Sequence, residues 1–235
     1  QIGELDSYLS LDINEKERAS DAMMRRMPAY YRRLQELEGL GFTVISSKEL
    51  ARRMGLTDSQ IRHDFNAFGG FGRRGRGYTV ELLRKSIGDI LDINRKHDMI
   101  IIGSGNMGKA LAQYKGFGEN GFNLAAMFDA DSELVGKRFG GARVYAINGL
   151  AKYLQKHPAD IAVIATPANA AQSLVEPLVQ GGVKGIWNFA AVDVTAPPEI
   201  VVNNVHLTDS LMMLTFRMHE KVVLEEHKSW VSSEE

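Results

Sequence analysis

Three isoleucines in a row, Ile100, Ile101 and Ile102, run straight into Gly103-Ser104-Gly105-Asn106-Met107-Gly108. An apolar run without polar alternation is the pattern of a strand buried on both faces of a parallel sheet. The G-x-G-x-x-G behind it, ahead of helix-forming residues 106–114, is an arrangement that brings backbone against a pyrophosphate. The first glycine permits a tight turn, the second close approach of the ligand, and the third close packing of helix on strand. A carboxylate ending the next strand should then accept hydrogen bonds from an adenosine ribose. Asp129 stands there, after the apolar run 124–128 and 21 residues beyond Gly108. No Arg or Lys follows it directly, and Asp131 adds a second negative charge, so a 2′-phosphate would be repelled. The chemistry predicted is binding of NAD(H) rather than NADP(H).

A second apolar run, 161–165, delivers Thr166, Pro167 and Ala168 to the same sheet edge as Gly103. Residues this small leave room for a cofactor, although an ordinary strand-to-helix turn explains them equally well. An enzyme would need a poised acid, base or nucleophile at that edge. The chain has no cysteine, which excludes disulfides, thiolate metal sites and thiol redox chemistry together. His97, His157, His219 and His227 fall at expected helix ends or in the tail. His206 alone is a candidate, and no second group is evident to orient it. No catalytic residue and no metal ligand is therefore assigned, and an NAD-dependent enzyme is the weaker reading.

The elements that must carry this site follow from the rest of the pattern. Short apolar runs at 124–128, 161–165, 186–189 and 201–205 alternate with helical segments at 149–157 and 169–180, which predicts a doubly wound parallel sheet over 97–205. At 235 residues there is room for one large domain or two modest ones. No apolar run is long enough to cross a bilayer, and the start of the sequence lacks a signal pattern, so the expected location is cytoplasmic. The net charge of −1 conceals an asymmetry: residues 15–85 hold 15 Lys/Arg against 9 Asp/Glu, whereas 86–235 hold 13 against 17. An anionic partner is expected for the first module only.

Residues 1–20 read as a tail. From Asp21, Met23, Met27, Tyr30 or Tyr31, Leu34 and Leu37 keep a helical spacing, with Pro28 dividing an entry turn from the main helix. Two capping boxes follow, Ser46-Ser47-Lys48-Glu49 and Thr57-Asp58-Ser59-Gln60, opening short helices to Met54 and Ala67 on either side of Gly55-Leu56. That is the punctuation of a helix-turn-helix, with 58–67 as recognition helix; a generic three-helix bundle has the same punctuation. Residues 68–80 then hold five glycines and three arginines, the composition of a hairpin with Arg73, Arg74 and Arg76 crowded at its tip. Beside a helix-turn-helix this is a wing that reaches phosphates or a narrow minor groove, so 21–88 is read as a winged-helix domain. A helix is expected over 81–96. Near the end, Leu207, Leu211, Leu214, Met218 and Val222 form one apolar stripe on a last helix within 206–235, and 225–235 is expected to fray.

These segments together resemble the Rex family of bacterial redox-sensing transcriptional repressors, over roughly residues 22–218. The resemblance rests on Ser-Ser-Lys-Glu-Leu (46–50), Gln-Ile-Arg-His-Asp-Phe-Asn-Ala-Phe-Gly (60–69), Arg-Gly-Arg-Gly-Tyr-Thr-Val (74–80), Gly-Ser-Gly-Asn-Met-Gly (103–108), Tyr-Lys-Gly-Phe-Gly (114–118) and Gly-Val-Lys-Gly-Ile-Trp-Asn-Phe (182–189). It implies an N-terminal winged helix, a Rossmann-like NAD(H) domain and a homodimer that exchanges C-terminal helices. It further implies a palindromic operator that is bound when NADH is low and released when NADH binds. The DNA-facing candidates are Ser47, Lys48, Ser59, Gln60, Arg62, His63, Arg73, Arg74, Arg76 and Tyr78. The cofactor candidates are residues 103–108, Asp129 and 166–168, with Phe117 and Leu207 lining a nicotinamide pocket by resemblance. The family's switch implies Arg32, Tyr114 and an acid at the start of the last helix. Two departures stand out: His63 where a second basic residue is usual, and His206 where the family has that acid. A regulator whose nucleotide is structural, or is not NADH, remains the alternative.

Overall fold

The computed structural model describes residues 21–67 and 77–231, with side chains over 22–67 and 77–221. The expected tail, the wing tip with Arg73, Arg74 and Arg76, and the final residues 232–235 lie outside the described residues. The chain divides into two compact units, Gln1–Lys96 and His97–Glu235.

In the first unit, α1 (Asp21–Gly39) is one continuous helix through Pro28, not an entry turn and a helix. Met23 and Met27 before the proline bury into the same core as Tyr30, Leu34 and Leu37 after it, which holds both halves to one axis. Then come β1 (Val44–Ile45), α2 (Ser47–Met54), α3 (Asp58–Ala67), β2 (Tyr78–Thr79) and α4 (Val80–Ile90). The N-cap half of each expected capping box forms: Ser46 Oγ accepts from Glu49 N–H and Thr57 Oγ1 from Gln60 N–H, each at 3.1 Å, while the Glu49 side chain turns to Arg52 and Arg53 and that of Gln60 to Asp64. β1 pairs antiparallel with β2, Val44 opposite Thr79 and Ile45 opposite Tyr78, which is the base of the expected wing. The helix expected to reach residue 96 stops at Ile90. Asn94 folds back and its amide donates to the Lys85 carbonyl at 3.0 Å and the Asp89 carboxylate at 2.6 Å, while Asp92 turns to a positive φ of 56°.

One contact fixes the attitude of α3. The Asp64 carboxylate is fully buried and accepts from Arg26 through Nε (2.7 Å) and Nη2 (2.9 Å), from the Tyr30 hydroxyl (2.6 Å) and from the Gln60 amide (2.7 Å). Burial pushes this carboxyl's pKa up, but the Arg26 guanidinium and the two neutral donors outweigh it and hold the pKa below its usual value. Burial and the same carboxylate push the Tyr30 hydroxyl up.

The second unit contains β3 (His97–Ile102), α5 (Asn106–Ala112), α6 (Gly116–Glu119), β4 (Phe122–Asp129), β5 (Arg138–Phe139), β6 (Ala142–Ala146), α7 (Leu150–Lys156), β7 (Ile161–Ile164), α8 (Ala168–Ala171), α9 (Val175–Gln180), β8 (Gly185–Asn188), β9 (Val201–Asn204) and α10 (Leu207–Val231). The sheet order is β5-β6-β4-β3-β7-β8-β9, parallel throughout except for β5, an antiparallel edge strand that the sequence pattern did not reveal. The order reverses at β3, so the Gly-rich turn lies at a topological switch point, where open α/β sheets bind ligands. The helix expected over 169–180 is split by a 3-10 turn at Gln172–Leu174. Pro177, lacking an N–H, is accommodated in the first turn of α9. α10 runs on to Val231, past the point where fraying was expected. Among the described residues no helix is long and apolar enough to cross a membrane.

The depressed Asp64 pKa carries a testable sign. The folded carboxyl takes its proton less readily than the unfolded one, so its contribution is present above the ordinary value of about 4 and is lost as pH falls through the lower folded value. Calorimetric melting should therefore show an acid limb of the first unit that Asp64→Asn flattens. Asp64→Ala, which strands Arg26 and Tyr30, should cost about 3 kcal/mol near neutral pH.

Candidate functional site

The carboxyl edge of the second sheet is built by backbone approach. Gly103 has φ +100°, and a Cβ added there would collide with the Ala165 carbonyl at the end of β7. A Cβ on Gly108 would collide with the Gly103 carbonyl, so α5 lies directly against the turn. At Gly105, by contrast, an added Cβ meets nothing within 4 Å, and φ −70° is open to any residue. The three glycines thus divide the roles expected of them, and the open one is the one assigned to the ligand. Asn106, Met107 and Gly108 form the first turn of α5, whose N–H groups have no intrahelical acceptor.

Ser104 and Thr166 flank this turn. Their hydroxyl oxygens are buried and have no partner among the described residues. Asp129 aims at the same place: Oδ2 accepts from Ser104 N–H at 2.5 Å and Oδ1 from Asp131 N–H at 2.9 Å. Pro167 precedes α8, which begins at Ala168 with no side chain large enough to close the edge. A dinucleotide fits these residues. The open face of Gly105 and the α5 N–H groups would take the pyrophosphate, Asp129 the ribose hydroxyls, and Ser104 and Thr166 would gain the partners they lack.

Two expected cofactor residues are placed differently. α5 carries the chain back to the amino edge of the sheet, so Phe117 follows there. Its ring packs on Trp187 (5.9 Å between centroids) and Tyr114 (4.9 Å), beside the starts of β3, β7 and β8, not at the nicotinamide edge. Leu207, the first residue of α10, is exposed within a single chain. The switch residues are not brought together within one unit. Arg32 is an exposed residue of the first. In the second, Tyr114 is exposed at the amino edge, whereas His206 follows β9 at the carboxyl edge. His206 instead has a partner that no sequence signal indicated, with Nε2 at 2.8 Å from Asp193 Oδ1. Asp193 is positioned by an Asn pair: the buried Asn188 amide donates to Val192 O and Asn204 Oδ1, and Asn204 Oδ1 accepts from Val194 N–H.

On the first unit, α3 presents Ser59, Arg62, His63 and Asn66 to solvent, and Lys48 is exposed on α2 with Ser47 half-buried at its first turn. Asn66 was not among the sequence candidates; its exposure one turn beyond Arg62 and His63 was readable from helical spacing. Gln60 is committed inward to Asp64. Tyr78, expected to face DNA, belongs to the core: it is 8% exposed, its ring stands edge-on to Phe65 at 5.1 Å, and burial pushes its hydroxyl pKa up. It is drawn inward because Ile45, its opposite on β1, faces the same core. Asp64 was also missed, although its place between Ile61 and Phe65 on the buried face of α3 was legible.

Comparison with known proteins agrees with both units. A family described as CoA binding domain matches residues 94–192, and one described as putative DNA-binding protein N-terminus matches 19–66. A redox-sensing transcriptional repressor Rex of Caldicellulosiruptor bescii is 42% identical over 212 residues, 90% of this chain and 98% of that one. A Rex of Clostridium botulinum is 45% identical over 203 residues, 86% of this chain and 97% of that one. The crystal structure of RSP, a Rex-family repressor, in complex with β-NAD+ and operator DNA gives a TM-score of 0.81 at 39% identity, covering 89% of this chain and 97% of that one. RSP in complex with β-NADH gives 0.80 at 38%, covering 88% and 97%. These relatives are named as repressors, not enzymes. The chain belongs to the Rex family of redox-sensing transcriptional repressors.

Proposed function

We propose that this protein is a cytoplasmic homodimer that represses transcription from a palindromic operator and lets go when NADH binds. The observation that carries the reading is the Gly-rich edge, where Gly105 has open space and the buried Ser104 and Thr166 hydroxyls have no partner among the described residues, in a chain whose other unit exposes Ser59, Arg62 and His63 on one helix. NAD⁺ and NADH differ by a positive charge on the nicotinamide. A closed apolar pocket favours the neutral ring, because burying an unpaired cation is costly. Two recognition helices can engage two half-sites only at a fixed separation, so a ligand that changes their spacing lowers operator affinity.

Three features support the dimer. α10 carries Leu207, Leu211, Leu214 and Met218 along one stripe, all exposed, and Met212 and Phe216 exposed on the opposite face. A helix with apolar residues on opposite faces requires cover on more than one side. Beside β7, β8 and β9, Ile161, Trp187 and Val201 line an apolar cavity of about 340 Å³, with Phe117 of α6 at its wall. Tyr114 and His206 stand at opposite sheet edges, so a switch that joins them draws them from two protomers.

The direct test titrates an operator complex with NADH and, separately, NAD⁺: NADH should weaken binding, NAD⁺ should not, and unchanged affinity at saturating NADH would overturn the gate. Gly105→Ala should fold and melt like the parent yet lose NADH affinity by calorimetry, because its methyl occupies open space where the pyrophosphate would lie. Gly108→Ala should instead lower the melting temperature, since its methyl would collide with the Gly103 carbonyl. Replacing Arg73, Arg74 and Arg76 should weaken binding to every sequence and reduce the salt slope by roughly 1 for each phosphate left without its arginine. At position 206, His206→Asp should enlarge the NADH-induced loss of operator affinity within the roughly 5–150-fold range of such couplings. Identical release in both proteins would remove His206 from the switch.

A further inference from the structure

On α3, Arg62 Nη1 donates to Asp58 Oδ2 at 2.5 Å, one turn back along the helix. This is more than a chance surface pair. The other carboxylate oxygen, Asp58 Oδ1, is buried and has no partner among the described residues, so one oxygen is turned into the protein although 34% of the side chain stays accessible. Arg62 itself is exposed, with 55% of its side chain accessible. The acid precedes the base by four residues, the favourable orientation for such a pair.

Exposed pairs of this kind contribute little to stability, so energy alone gives no reason to hold a carboxylate with one oxygen sequestered. An acid on a face meant for DNA is also unfavourable in itself, because it repels phosphates. Its geometry suggests another use. A guanidinium has five donors in a rigid plane, and tethering one nitrogen leaves the rest of the fork at a fixed angle. A bidentate contact to guanine O6 and N7 requires that fork to arrive in one orientation.

We propose that Asp58 is a positioning residue for sequence readout: it holds the Arg62 guanidinium so that its free edge meets one base pair, giving up some general DNA affinity for discrimination. This rests on the reading of α3 as the recognition helix. Gln60 and Asp64 are engaged with each other on the buried side and do not compete for Arg62. His63 lies 3.7 Å from Asp64, not from Asp58.

The probe is the tightest duplex selected by the full-length protein from a randomised library, together with its single base-pair variants. Arg62→Ala should flatten preference at one base pair of each half-site. Asp58→Asn should tighten binding to all duplexes, yet lower preference at that same base pair by roughly 10-fold. Asp58→Glu, which keeps the carboxylate, should retain most of the preference. In an Arg62→Ala background, Asp58→Asn should no longer change it. If Asp58→Asn tightens every duplex equally and leaves preference intact, its role is charge alone and the proposal fails while the recognition helix stands. If Arg62→Ala leaves every preference intact, both fail together.

Discussion

The second unit depends on how closely three backbones meet at Gly103. The end of β3, the end of β7 and the first turn of α5 converge so tightly that a methyl on Gly103 or Gly108 would strike a carbonyl. Because β3 is the strand at which the sheet order reverses, this convergence opens a crevice instead of closing one. The consequences follow in sequence. Ser104 and Thr166 are carried to the crevice with their hydroxyls buried, Asp129 is drawn across to the Ser104 N–H, and Gly105 is left as the one position of the turn with free space. Cofactor affinity is thus a property of backbone packing more than of any single side chain.

The first unit has an equivalent constraint of a different kind. Its core is small, and α3 contributes only Ile61 and Phe65 as large buried side chains. Two apolar anchors leave rotation about the helix axis weakly specified. Asp64 supplies the missing specification, since a carboxylate held by Arg26, Tyr30 and Gln60 accepts only one orientation. Buried ion pairs are poor sources of stability but can select one arrangement among several. Here that arrangement decides that Ser59, Arg62, His63 and Asn66 point outward together.

Much of this was legible in sequence because the signals were local. The Gly-rich turn, Asp129 at the end of the next strand, the two N-caps Ser46 and Thr57 and the alternation of strand and helix each depend on neighbours within about 20 residues, and the structure places each where the pattern put it. What escaped was non-local. Nothing in the pattern of 138–142 distinguishes an edge strand from a loop, because β5 is two residues long and its pairing is made by β6. Tyr78 has the sequence position of a wing residue, and only its strand partner Ile45 turns it inward. Phe117 belongs to the ligand edge by resemblance, whereas the return of α5 across the sheet puts it at the other end. The Asp193 partner of His206 depends on an Asn188–Asn204 pair that spans 16 residues and no recognisable motif.

The last helix of the second unit is left without cover along its described side chains. α10 leaves β9 at the carboxyl edge, directly after His206, and its side chains as far as Lys221 are exposed. An exposed helix with apolar residues on opposite faces is not a resting arrangement in water, where each buried leucine or phenylalanine is worth about 1.5–3 kcal/mol. The cover it needs and the apolar cavity lined by Ile161, Trp187 and Val201 are complementary requirements of one chain, and the proposed dimer offers a way to meet both. His206, at the root of α10, follows β9 on the same carboxyl edge of the sheet that carries the Gly-rich turn. In the proposed dimer, a ligand-dependent shift of this helix is what would change the spacing of two recognition helices and so lower operator affinity.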